Sequence, residues 1–164
     1  MTNSRPLLSW RHAAHGGVVY STGDSIAALI SGEFQFDRFL GVLLVGSTLY
    51  AVEIPAYFNW IERRFNRSGR WNSFIRALSA QAYFNPLWIA RHLAFIRMFS
   101  GRWSEIGWGL LAIGLDSFLH ALPFALLINY GIQNAIPLQW RFFASSVFSS
   151  GMAVYYALSE VLFG

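Results

Sequence analysis

Ionisable residues interrupt stretches that are otherwise apolar: Asp24, Glu53, Arg91, His92, Asp116, His120 and Glu160. Asp116 and His120 stand four residues apart, so a helix through them presents both on one face. A carboxylate beside an imidazole can relay a proton, contribute to a metal site or form a structural hydrogen bond. Metal binding needs more ligands, and only His92 and Glu53 are available to join, so no metal site is expected. His92 and His120 also raise haem or chlorophyll ligation as an alternative to having no cofactor. On antiparallel neighbours they fall at different depths, which leaves one imidazole per pigment at most. Glu53 is followed by Pro55, where a proline inside a helix removes a backbone hydrogen bond and bends it. A bend beside a carboxylate fits a pore constriction, or simple packing with Glu53 paired to Arg91. Arg91 has the matching alternatives of lining an aqueous path or neutralising a buried acid. No Ser/His, His/Glu or clustered-carboxylate arrangement at one depth emerges, so no catalytic residue and no enzyme is expected.

The surroundings of these residues are those of a membrane protein. The 164 residues are 55% hydrophobic and only 12% charged, with mean hydropathy +0.40, too little polar surface to cover a soluble globule. An ionisable side chain at the hydrocarbon centre costs about 2.5–3.5 kcal/mol on insertion scales, so each should face other helices, a cavity or a partner. Breaks at Gly, Pro and charge clusters predict an all-α polytopic bundle of four to five transmembrane helices in one domain over 1–164, with spans near 12–32, 38–61, 74–99, 105–130 and 138–163. Gly16, Gly17, Gly23 and Asp24 make the first the weakest. Pro55, Pro86, Pro123 and Pro137 are expected to kink helices, and the polar residues near them (Gln81, Asn85, Asn129, Gln133, Asn134) suggest a cavity. Small residues at helical spacing (Ala13 and Gly17, Ala28 and Gly32, Ser145 and Ser149, Ser146 and Ser150) permit close helix approach.

The aromatic share is 18%, and Trp10, Trp60, Trp71, Trp103 and Trp140 fall near segment ends, as in an interfacial belt. The loop from Glu62 to Arg70 is the most basic stretch. With Arg5 and Arg11 it predicts an inside N-terminus, and Arg63, Arg64, Arg67 and Arg70 are candidates for anionic lipid headgroups. The charge of +4 reads as a topology signal, and nucleic-acid binding is excluded by the apolar content. The absence of Cys removes disulfides, iron–sulfur clusters and thiol nucleophiles. Residues 1–10 lack the apolar core and cleavage site of a signal peptide. Asn66-Arg67-Ser68 matches a glycosylation sequon but lies in the expected inside loop, and is read as chance.

The order of polar landmarks resembles the Mpv17/PMP22 family of small integral membrane proteins. Gly23-Asp24-Ser25-Ile26-Ala27 is similar to that family's early Gly-Asp element, and Tyr57-Phe58-Asn59-Trp60-Ile61-Glu62-Arg63-Arg64-Phe65 to its aromatic pair followed by a charge and Arg-Phe. Gln81 with Pro86 resembles an Asp-Gln…Pro element. Ile136-Pro137-Leu138-Gln139-Trp140-Arg141 is the closest match, to Val-Pro-x-x-Tyr-Arg, and a Tyr-rich stretch with Leu158-Ser159 follows. Glu53, Ala56, Ala80 and Met152-Ala153 depart from the family pattern, as in a divergent, bacterial relative. The resemblance implies a compact helical bundle without known enzymatic activity, proposed to form channels for small solutes, and it points to Asp24, Gln81, Pro86, Pro137 and Arg141.

Two functions are therefore expected in competition. One is a small-solute channel whose pore-lining or buried ion-pair residues are Asp24, Glu53, Gln81, Arg91, His92, Asp116, His120 and Arg141, with acids on one side and Arg91 and Arg141 on the other tuning selectivity. The other is a non-catalytic accessory or structural subunit of a larger membrane complex. Membrane lipids are the expected partners, with a homo-oligomer or larger complex left open. A bacterial inner membrane is favoured, with the mitochondrial inner membrane as the alternative.

Overall fold

The computed structural model describes the backbone of residues 9–163 and the side chains of residues 9–155. Arg5, the side chain of Glu160 and those of Leu158-Ser159 lie outside these residues. Every regular element among the described residues is helical: α1 (Trp10–Ile30), α2 (Phe36–Val45), a π-helical turn (Gly46–Tyr50), α3 (Ala51–Arg64), α4 (Arg70–Tyr83), α5 (Pro86–Phe99), a 3₁₀ turn (Trp103–Glu105), α6 (Gly109–Ala135) and α7 (Leu138–Phe163).

From α2 through the π turn to α3 the chain is one continuous helix of 29 residues. Pro55 removes the N–H that would bond four residues back, and the π turn ends at that point. The Ser47 hydroxyl donates to Leu43 O at 2.8 Å and the Thr48 hydroxyl to Leu44 O at 2.6 Å, which satisfies carbonyls beside the widened turn. Asn59 Nδ2 likewise donates to Pro55 O at 2.8 Å. This helix carries the core: Val42, Val45, Tyr50, Ala51, Ile54, Phe58 and Ile61 form one buried cluster with Tyr20, Ala80 and Phe142.

The expected third span, 74–99, is corrected to two helices. Asn85 is extended and its side chain accepts from the Trp88 N–H at 3.0 Å, while Pro86 takes the first helical position. That is a helix start, so Pro86 does not kink a helix. Pro137 is corrected in the same way: Ile136 before it is extended, which ends α6 and lets α7 begin. Pro55 and Pro123 do lie inside helices.

The glycines that weaken α1 as a sequence are what its packing uses. Gly16, Gly17, Gly23 and Ala27 share its buried face with Tyr20 and Asp24. Gly16 and Gly46 meet backbone to backbone, so that a Cβ on either would strike the other's carbonyl oxygen. Two turns further along α1, Gly23 sits on Ser150, whose hydroxyl donates to Val19 O at 3.0 Å. Thus α1 lies between α7 and the α2–α3 helix, while α4 and α5 pack along α6.

Among the described residues, two helices are long and apolar enough to cross a membrane: Phe36–Arg64 and α6. Within their apolar windows, 44% of the first is buried inside the fold, against only 11% of α6. At 1.5 Å per residue, α4 and α5, with 14 residues each, reach only about 21 Å apiece. Trp10, Trp60, Trp71, Trp103 and Trp140 are all exposed, close to helix ends.

Candidate functional site

A cavity of about 580 Å³ opens between α1, α5, α6 and α7. Much of its wall is apolar, from Ile89, Leu93, Ile96, Phe118 and Phe148, and its polar groups fall in distinct places.

One polar group is a buried ion pair. Arg38 at the start of α2 reaches Asp24 on α1 through two parallel hydrogen bonds, Nε to Oδ2 at 2.8 Å and Nη2 to Oδ1 at 2.6 Å. Planar guanidinium and carboxylate match in this geometry. From there charges alternate towards the turns: Glu33 lies 3.8 Å from Arg38, Arg102 reaches Glu33 at 3.2 Å, and Arg97 contacts Glu105. Each cation bordering the cavity thus has an acid beside it.

Elsewhere in the wall, Asn129 on α6 donates through Nδ2 to Gln81 Oε1 on α4 at 2.8 Å, with both residues buried. His92 on α5 stacks flat on Trp88, centroids 5.6 Å apart, and its Nδ1 is hydrogen-bonded to the Tyr50 hydroxyl at 3.0 Å. The Trp88 Nε1 beside it is shielded from solvent and has no hydrogen-bond partner. Ser145 and Ser149 border the cavity from α7.

The sequence candidates separate cleanly in space. Asp24, Gln81 and His92 border the cavity, whereas Glu53, Arg91 and Arg141 do not. Glu53 and Arg91 pair with each other, Nη1 to Oε1 at 3.1 Å and Nη2 to Oε2 at 2.9 Å, and the guanidinium lies 5.8 Å from the Tyr50 ring centre. Arg141 bonds Glu62 at 2.6 Å and the Ile136 carbonyl at 2.9 Å, which ties the start of α7 to the end of α3. Asp116 and His120 share a face as expected, but that face is the outer one of α6, and their side chains are 75% and 73% exposed. The charge-tuned pore with Glu53 and Asp116 on one wall is corrected accordingly: one acid is paired away from the cavity and the other lies outside it. The two imidazoles considered for haem or chlorophyll are likewise one inside and one outside. Among the described residues, no three His, Cys, Asp or Glu gather to hold a metal ion. Arg63, Arg64, Arg67 and Arg70 are all exposed.

Arg38, Glu62, Asn129, Tyr50 and Trp88 complete these contacts and were not singled out from the sequence as site residues. For Arg38 a signal was available. Asp24 and Arg38 are each seven residues from Ser31, where the first hairpin turns, so both fall at one depth. Nothing comparable marks Glu62 or Tyr50.

No protein-family model, curated protein or solved structure matches this chain.

Proposed function

We propose that the chain is an integral membrane protein of the Mpv17/PMP22 type, a bundle of four to five crossing segments whose cavity admits a small uncharged solute. The observation that carries the membrane reading is α6. An apolar helix of 27 residues suits the core of a soluble protein when it is covered, yet this one is 11% buried over its apolar window and presents Leu119, Phe124 and Leu127 outward. Acyl chains are the solvent such a surface fits. Support for an uncharged solute comes from the lining, where the cations are matched by acids and the remaining polar groups are amides, hydroxyls and ring N–H groups. Such a wall discriminates by size and hydrogen bonding. The exposed Arg63, Arg64, Arg67 and Arg70 would rest against anionic headgroups, and a bacterial inner membrane is the favoured setting.

The test is permeation of proteoliposomes by neutral solutes of graded size. Glycerol-sized solutes are expected to pass faster than through empty liposomes, with ions passing poorly. Ala121→Phe, which fills the cavity from α6, is expected to lower the rate at least tenfold without changing the unfolding temperature. Permeability equal to that of empty liposomes overturns the channel reading. It favours the second one, an accessory membrane subunit, which the one-to-one pairing of interior charges supports.

A further inference from the structure

Asp116 and His120 are a polar pair on the outer surface of an otherwise apolar helix. Their side chains approach to 3.4 Å, and His120 Nδ1 lies 2.9 Å from the Asp116 carbonyl oxygen, which leaves Nε2 for a neighbour. With a rise of 1.5 Å per residue, the two lie about 9 and 3 Å from the midpoint of α6, inside the roughly 15 Å half-thickness of the hydrocarbon. A carboxylate facing acyl chains at that depth is costly, so the pair needs cover that the described residues do not supply.

The pair belongs to a pattern. Ile113, Asp116, His120, Pro123, Leu127 and Tyr130 follow one another at alternating steps of three and four, and all six are exposed. That spacing is the seam of a left-handed helix pair. We propose that this seam is a homotypic interface, in which two copies of the chain pack α6 against α6 in parallel and each His120 meets Asp116 of the other copy. The occupant follows from charge and symmetry. Copies inserted in one orientation meet about a two-fold axis normal to the membrane, so every contact occurs twice. In knobs-into-holes packing, the hole that receives His120 has Asp116 and Pro123 of the other copy among its corners. The seam thus supplies both members of an acid–imidazole contact without help from another protein.

The inference rests on α6 crossing the bilayer, and the two can fail separately. Alkaline carbonate extraction tests the first: release of the chain into the aqueous fraction overturns the membrane reading and the interface with it. For the membrane-bound chain, the mass in mild detergent is expected to be twice 18.6 kDa after subtraction of detergent. D116H carries two imidazoles on the seam and H120D two carboxylates. Each alone is expected to self-associate at least tenfold more weakly than the parent, whereas the two mixed should form a heterodimer. Because the chain has no cysteine, L127C should cross-link to itself on mild oxidation, while V18C, exposed on α1, should not. A membrane-bound chain that stays monomeric overturns the proposal. So does undiminished self-association of D116H and H120D, or stoichiometric cross-linking of L127C to a different protein.

Discussion

Removing either member of the Asp24–Arg38 pair leaves the other charge largely buried without its counter-ion, since both side chains are less than a tenth exposed. Asp24→Asn or Arg38→Met alone is expected to cost about 3–5 kcal/mol, while the double apolar variant Asp24→Leu with Arg38→Met recovers most of that loss. Thermal unfolding in one detergent checks this, and equal losses in the single and double variants would contradict it. Glu53 and Arg91 are about a third exposed, so the corresponding single variants there should cost less. The candidate side chains were readable in one dimension because each is an ionisable or amide group in an apolar run. Their partners were less readable. Pairing depends on depth and on rotation about each helix axis, and only Asp24 with Arg38, symmetric about a short turn, could have been matched from spacing. Asp116 shows the other side of this limit: the cost of exposing it in lipid suggested an inward face, whereas α6 turns Asn129 and Gln133 inward instead.

Glycines mark the points at which helix backbones approach most closely. Gly16→Ala or Gly46→Ala places a methyl group against backbone, which has no rotamer through which to move away, so the α1 crossing must widen. A loss of more than about 2 kcal/mol is expected for either. Gly131→Ala in α6 meets nothing within 4 Å and should be neutral or stabilising by up to about 1 kcal/mol, from helix propensity. Unfolding of the three variants side by side reads both effects. Hydropathy and proline positions were enough to draw most helices: α7 begins and ends where expected, and α1 shifts by two residues at each end. The α4–α5 break was missed because Pro86 fits a kink inside one helix as well as the start of a second. Its local marker is Asn85-Pro86, a capping residue followed by the one residue suited to a first helical position. The π turn left no sequence mark beyond its neighbour Pro55.

The ends of the bundle differ in charge. Arg11, Arg63, Arg64, Arg67 and Arg70 are exposed at the end where α1 begins and α3 passes to α4, while at the opposite end Arg97 and Arg102 are engaged with Glu105 and Glu33. On the membrane reading proposed above, the positive-inside rule would put the N-terminal end on the cytoplasmic side. In intact cells, S68C is expected to resist an impermeant maleimide until the membrane is opened, whereas G107C reacts at once. The reverse pattern overturns the orientation. The broken third segment has a consequence for biosynthesis. On the proposed membrane reading, a translocon would release into lipid what partitions there unaided, and among the described helices Phe36–Arg64 and α6 have the length and composition for it. Two half-length helices do not, and they leave the ribosome before α6, the helix along which both pack. Their final seat must therefore wait for a later segment, so the order of assembly is not the order of synthesis.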